Sequence, residues 1–415
     1  MVFSSFSSIA LADLNLEISG NGADSNNTVV VQSSNTNVVT QTNNANISNN
    51  IDVSTDTGDN KANKNTGGNV TVATGDATSS VGVTNNANSN TAQVKSCGSC
   101  LGDLQGKISG NGADSDNALS VDVESTNFVT QQNTADVSNN VNVKADTGDN
   151  KANKNTGGNV EISTGDADAH NVSVNTRVNA NEATIGGNGG SSHGLSLWIT
   201  GNGADSDNAI ALKVNNANVV DQSNYADITN SISVKADTGD NKANKNTGGG
   251  ASISTGDADA HVSVDNMANF NMADVEGCCL LGGTVKVGGN GADSENKLGL
   301  ALETANFATQ TNSLECGRDQ YLWDYWYGKG SCASVRVNND TGDNKANENT
   351  SHNGDPSIET GDAGSSISVD NSGNANGLTI GGDAITGHDV EIPAGFPFGS
   401  NSLLGFLMVL FGHSA

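Results

Sequence analysis

Apolar residues in this chain come in short alternating runs, such as Val121-Asp122-Val123 and Val141-Asn142-Val143. A period of two puts every second side chain on one face of a strand. The runs Ala118 to Val123, Ala135 to Val143, Val160 to Ser163 and Val172 to Val174 therefore predict strands, each mixing β-branched or small residues with Ser, Thr, Asn or Asp. Between them lie clusters of Gly, Asp and Asn, which form tight turns at least cost. No segment shows sustained helical spacing with caps and a clean stop.

The pattern recurs four times. Gly-Asn-Gly-Ala-Asp-Ser begins at Gly20, Gly110, Gly201 and Gly289, at spacings of 90, 91 and 88 residues. Thr-Gly-Asp-Asn-Lys-Ala-Asn follows at Thr57, Thr147, Thr238 and Thr341, and Thr-Gly-Asp-Ala at Thr74, Thr164, Thr255 and Thr360. Each copy closes on an Asn-x-Asn motif running into Val94, Ile185, Val275 or Ile380. The expected division is a signal-like segment over 1–12, β units over 13–100, 101–190, 191–281 and 282–392, and an apolar tail over 393–415. The fourth unit carries an insertion over 314–336.

Repetition at this length predicts an all-β, elongated repeat architecture of stacked short strands, a β-solenoid or a stack of β-arches. Thr147 and Thr164 start 17 residues apart, which suggests coils of that length, about five per unit and roughly 24 Å of rise. The alternative is a tandem array of β-sandwich domains. A sandwich wants a bulky interior and usually a buried Trp or Tyr, and the first two units have neither.

Composition favours the thinner architecture. Hydrophobic residues are 34% and aromatics 4% of the 415 residues, too little bulky material for a large core. The three prolines, Pro356, Pro393 and Pro397, all lie in the last sixty residues, as suits a backbone bonded nearly throughout. With 46 acidic against 18 basic residues the net charge is −28, which argues against nucleic acid and anionic membrane as partners. Cations are a possible weak partner.

The ends and the cysteines bear on location. Ala10 and Ala12 form an A-x-A pattern before the first unit, like the end of a secretory signal. Leu403 to Phe411 is apolar but too short to span a bilayer, so no stable membrane span is expected in the mature protein. The pairs Cys97 and Cys100, Cys278 and Cys279, Cys316 and Cys332 are disulfide candidates of a secreted, cell-surface protein, with their pairing open. Between the last two lie Tyr321, Trp323, Tyr325, Trp326 and Tyr327, five of the seven Trp and Tyr residues in the chain. They are interface candidates, since such residues anchor contacts, and the bland alternative is a local mini-core or end cap.

Little in the chain suggests catalysis. The Asp pairs Asp114 and Asp116, Asp146 and Asp149, Asp166 and Asp168 suit calcium by ligand type but match no calcium-loop pattern, and Asp is an ordinary turn former. Lys61 and Lys64, with their counterparts Lys151, Lys154, Lys242 and Lys245, read as local charge balance. Of the histidines only His170 and His261 recur in phase. No nucleophile elbow, phosphate loop or zinc-protease motif occurs. No catalytic, cofactor-binding or metal residue is assigned, no cofactor is expected, and the protein is not expected to be an enzyme.

The run Gln131-Gln132-Asn133-Thr134-Ala135-Asp136-Val137 is similar in rhythm to curli-type amyloid subunits, although its period differs. In size, repeated strand-and-turn units, acidic Asn/Gly/Thr composition and cysteine pairs, the chain resembles the amyloid-like sheath proteins of methanogenic archaea. That resemblance implies β-arches pairing edge to edge into hoops around a cell, with the chain itself as its partner. The expected function is thus a self-assembling extracellular structural protein of a sheath, layer or fibre. The alternative is a surface adhesin, a β stalk whose aromatic loop binds.

Overall fold

The computed structural model describes residues 2–7, 14–95, 104–186, 194–275, 282–316, 332–352, 354–380 and 383–385. These residues are all-β, with no helix among them. β1 (Val2–Ser7) lies in the segment before the units, and the first unit holds β2 (Leu14–Ser19), β3 (Asn26–Asp56), β4 (Val70–Ala73), β5 (Ala77–Ser79) and β6 (Gly82–Lys95). The second holds β7 (Leu104–Ser109), β8 (Asp116–Asp146), β9 (Val160–Ser163) and β10 (Ala167–Ile185). In the third lie β11 (Gly194–Thr200), β12 (Asp207–Asp237), β13 (Thr247–Gly248), β14 (Ala251–Ser254) and β15 (Ala258–Val275). The fourth has β16 (Gly282–Gly288), β17 (Glu295–Cys316), β18 (Ala333–Asp340), β19 (Thr350–Ser351), β20 (Ser357–Glu359), β21 (Ala363–Ile380) and β22 (Asp383–Ile385).

Strands pair with their counterparts in the units before and after. β12 lies parallel between β8 and β17, with Asp207 opposite both Asp116 and Glu295, and β3 flanks β8 on its other side. The same order builds β16-β11-β7-β2, β20-β14-β9-β4 and the sheet through β6, β10, β15 and β21. This register corrects two expectations. The 17-residue spacing is not a stacking period: Thr164 donates its N–H to the carbonyl of Ser254 in the next unit, not to a residue 17 places away. Nor are the units separate sandwiches, because each of these sheets runs through successive units.

The strands are also longer than expected. β3, β8 and β12 each run 31 residues. In β8 the odd-numbered residues from Asn117 to Ala145 point inward with unbroken parity, only Ser125 being less than fully buried. No proline or bulge interrupts that alternation, so nothing ends the strand before the Asp146-Thr147-Gly148 turn. There Gly148 has a φ of +78°, and its N–H donates to Asp146 Oδ1 at 2.8 Å.

The core is narrow and divided. Along β8, Leu119 and Val121 pack on Leu104 and Ile108 of β7. Val129 meets Ile185 of β10, Val137 meets Val178, and Val141 and Val143 meet Val172 and Val174. The long strand thus faces β7 and then β10 running the other way. A further cluster of Ala152, Val160 and Ile162 fills the space under β9. Small clusters serve because each is continued by the same positions in the neighbouring units.

β17 and β18 explain the insertion. Both pair with β12, β17 ending at Cys316 opposite Ile228 and β18 starting at Ala333 opposite Asn230. A Cys316–Cys332 disulfide links the end of β17 to the residue before β18, joining two of the six candidate cysteines whose pairing the sequence left open. The offset to the previous unit grows from 88 to 103 residues across this point, yet the strand resumes in the same column. Cys97, Cys100, Cys278 and Cys279, and the aromatic residues Tyr321, Trp323, Tyr325, Trp326 and Tyr327, lie outside the described residues, as does the tail over 393–415.

Candidate functional site: the polar spine and the open edges

Asparagines on the inward faces bond to one another through all four units. Asn43 donates to Asn90 (2.7 Å) across the core, Asn90 to Asn133 (3.0 Å), and Asn133 to Asn181 (2.8 Å). The chain continues from Asn181 to Asn224, to Asn271, to Asn312 and to Asn376, at 2.8–2.9 Å. The amides of the first three units also donate along the stack, as Asn133 does to Asn224 at 3.0 Å and Asn181 to Asn271 at 2.9 Å. A buried amide left unpaired costs ~1–3 kcal/mol, so complete satisfaction is what lets asparagine replace an oily residue here.

The spine has a direction. Asn27 donates to Asn117, Asn117 to Asn208 and Asn208 to Asn296, always toward the C-terminal unit. A glutamine column runs the opposite way, from Gln310 to Gln222 to Gln131 to Gln41. Among the described residues, the carbonyl end of these asparagine columns therefore has no preceding unit to accept from at the first unit, and the amide end has no following unit to reach at the fourth.

The turn residues take part in the stacking. Asp59 Oδ1 accepts the N–H of Asp149, and Asp149 Oδ1 that of Asp240 (2.8 and 2.7 Å). Asp76 and Asp166 accept from Asp166 and Asp257 in the same way. The Asp-rich turns thus serve as backbone acceptors between units, and among the described residues no group of three or more His, Cys, Asp and Glu is placed to hold a metal ion. Asp114 of the same set is a turn residue with φ +54°. The lysines separate into two roles: Lys61, Lys151, Lys242 and Lys345 form a column of single bridges, whereas Lys64, Lys154 and Lys245 have positive φ. His170 Nδ1 lies 2.8 Å from Asp168 Oδ2 at the surface.

Ion pairs link neighbouring units or flank the turns. Lys107 meets Glu17 at 2.8 Å, and this hydrogen bond holds the Glu17 carboxyl below the usual carboxylate range. Lys144 bonds Asp146 (2.7 Å) and Lys235 bonds Asp237 (2.6 Å), each bond raising its lysine against partial desolvation.

Among the described residues the outer sheet edges are long and unpaired. β3 has β8 on one side only, and β2 and β4 likewise end their sheets. At the other end β16, β17, β18 and β20 are the last strands. Two short strands cover part of the remaining sheet: β1 pairs parallel with β6 over Asn90 to Lys95, and β22 pairs antiparallel with β21 over Leu378 to Ile380. Sequence reasoning did not single out the individual asparagines of the spine, although Gln-x-Asn-x-Ala on the inward parity of β8 was a usable signal. Among the described residues no helix is long and apolar enough to cross a membrane. Comparison with protein-family profiles, with curated proteins and with solved structures finds no match to this chain.

Proposed function

We propose that this chain is a self-assembling extracellular structural protein, a stack of β-arches with one layer per unit, whose copies join edge to edge into a sheath, layer or fibre. One observation carries the reading: the 31-residue β3 and its counterpart β17–β18 are unpaired edges at opposite ends of one continuous ladder. Natural proteins usually blunt such edges with prolines, bulges, inward charges or covering segments. β3 has no proline and no bulge in its pairing with β8. Contacts between unlike surfaces do not close on themselves in pairs, so they run on into rings or filaments. The sheath proteins that the sequence resembles fit this reading, as does placement at a cell surface.

Electron microscopy of purified protein tests it, with rings, sheets or filaments and a meridional reflection near ~4.8 Å expected. A monodisperse monomer at high concentration across salt and pH would refute it. The second reading, an adhesin, draws on the Cys316–Cys332 clip, on either side of which β17 and β18 pair with β12 in one column. Alanine at Trp323 and Trp326 would then abolish ligand or cell binding and leave assembly intact.

A further inference from the structure

We propose that the first unit's edge is a docking surface for the fourth unit of a second copy of this chain, in register and with one polarity. The inference rests on the self-assembly reading and specifies its contact.

Three columns carry opposite charges at their two ends. Glu17, Lys107, Trp198 and Lys286 stand in one column, with Glu17 exposed at the first edge and Lys286 at the last. Asp52, Asn142, Ser233 and Arg336 form the second, with neutral residues between the terminal charges. In the third, Lys64, Lys154 and Lys245 are followed by Glu348, which pairs with Lys245 at 3.3 Å. If the fourth unit of one copy lies on the first unit of the next, Lys286 meets Glu17, Arg336 meets Asp52, and Glu348 sits between Lys245 and Lys64. The aspartate turn columns bring like charges together at the same junction. They already do so inside the chain, where each carboxylate accepts the next unit's N–H. At the junction Asp343 would accept from Asp59.

Two glycines point the same way. A Cβ at Gly112 would overlap the backbone of Gly22 and Ala23, and one at Gly203 or Gly291 would overlap the unit before it. Gly165, Gly256 and Gly361 are closed in the same manner by the preceding Gly-Asp turn. Their first-unit counterparts, Gly22 and Gly75, have nothing within 4 Å of that position and do not have positive φ. Among the described residues of one chain nothing requires glycine there. A preceding layer does, and the fourth unit of another copy has the matching backbone. The amide spine agrees, since acceptors at Asn27 and Asn43 face the side from which donors at Asn296 and Asn312 would come.

The docking sheets are those of β2, β3 and β4 against β16, β17–β18 and β20. In-register docking also brings Asn376 to Ile380 of one copy onto Asn90 to Val94 of the next, where β1 lies, so β1 and β22 must be displaced when copies join.

The test compares full-length wild type with Gly22→Ala, Gly75→Ala, Asp52→Arg and Arg336→Asp, by sedimentation of polymer and by thermal unfolding of the unassembled chain. Each glycine variant should keep the monomer's unfolding temperature and raise the critical concentration roughly a hundred-fold, as overpacking a backbone contact implies. Each charge variant alone should raise it roughly five-fold. An equimolar mixture of Asp52→Arg and Arg336→Asp should recover, because alternating copies restore an opposite pair at every junction. If wild type polymerises and all four variants match it, this docking is overturned and self-assembly by another contact stands. Should the mixture fail to recover while the single variants are impaired, the register is wrong. If wild type never polymerises, both readings fall.

Discussion

The second and third units bury what the first and fourth leave half open, although the sequences are nearly the same. Leu119 and Ile210 are 2% and 1% exposed, whereas Val29 and Leu298 in the same column are only partly buried. On the outer face, Phe128 is 40% exposed between two neighbours and Phe307 63% with one. The difference is only whether a layer lies on both sides. Stability in such a stack is a sum of contacts between adjacent units, and each unit alone has too little apolar surface to fold.

Substitutions paired between inner and outer units can break this comparison. The largest effect is expected for Gly203→Ala, whose methyl would enter the backbone of Gly112 and Ala113, at about 3 kcal/mol or more. The matched Gly22→Ala should leave the isolated chain within ~0.5 kcal/mol of wild type in denaturant titration. Next comes Asn133→Ala, which removes bonds to Asn43, Asn90, Asn181 and Asn224 and should cost ~2–4 kcal/mol by the same titration. Asn376→Ala at the end of the spine should cost less than half as much. Ile232→Ala, fully packed, should destabilise by ~2–3 kcal/mol, and Ile51→Ala in the same column by about half that.

The smallest effect is a pH dependence confined to the inner units. Lys144 and Lys235 are raised by their bonds to Asp146 and Asp237, so their contribution is fully present below the unfolded lysine value of ~10.4. It is lost as pH rises through the higher folded value. Ser54 and Asn338 occupy that column in the outer units. Replacing both lysines by methionine should flatten the fall of unfolding temperature above pH ~10 by a degree or two, since these partly exposed pairs are worth only ~0.2–1 kcal/mol each.

A fifth experiment concerns the covered part of the edge. Removing residues 2–7 exposes β6 over Asn90 to Lys95 and should shorten the lag of polymerisation. An unchanged lag would show that this sheet takes no part in joining copies.

Strand content was legible because alternation depends only on neighbours in sequence. Val121-Asp122-Val123 reads as strand in any context. The pairing partner was not legible in the same way, since a partner 90 residues distant leaves no local mark except repetition. The repeat was visible, but the 17-residue spacing of two similar turns drew attention to the wrong period. Thr147 and Thr164 open turns in the same unit, on either side of β9, and never stack on each other. Which asparagines form the spine was obscured for another reason. Asn133 and Asn140 look alike in the sequence, and only burial parity shows that Asn133 points inward while Asn140 bonds Asn50 on the surface. The charge reversal between Asp52 and Arg336 became meaningful once the column joining them was known.

The clipped excursion between β17 and β18 has a consequence for anything built from this chain. It departs from one layer in four, at a fixed column, always on the same strand. In an end-to-end polymer the segment bearing Trp323 would recur once per subunit, about every 19 Å along the axis. Such a fibre would be a ruled surface, with evenly spaced marks whose separation is set by layer count alone.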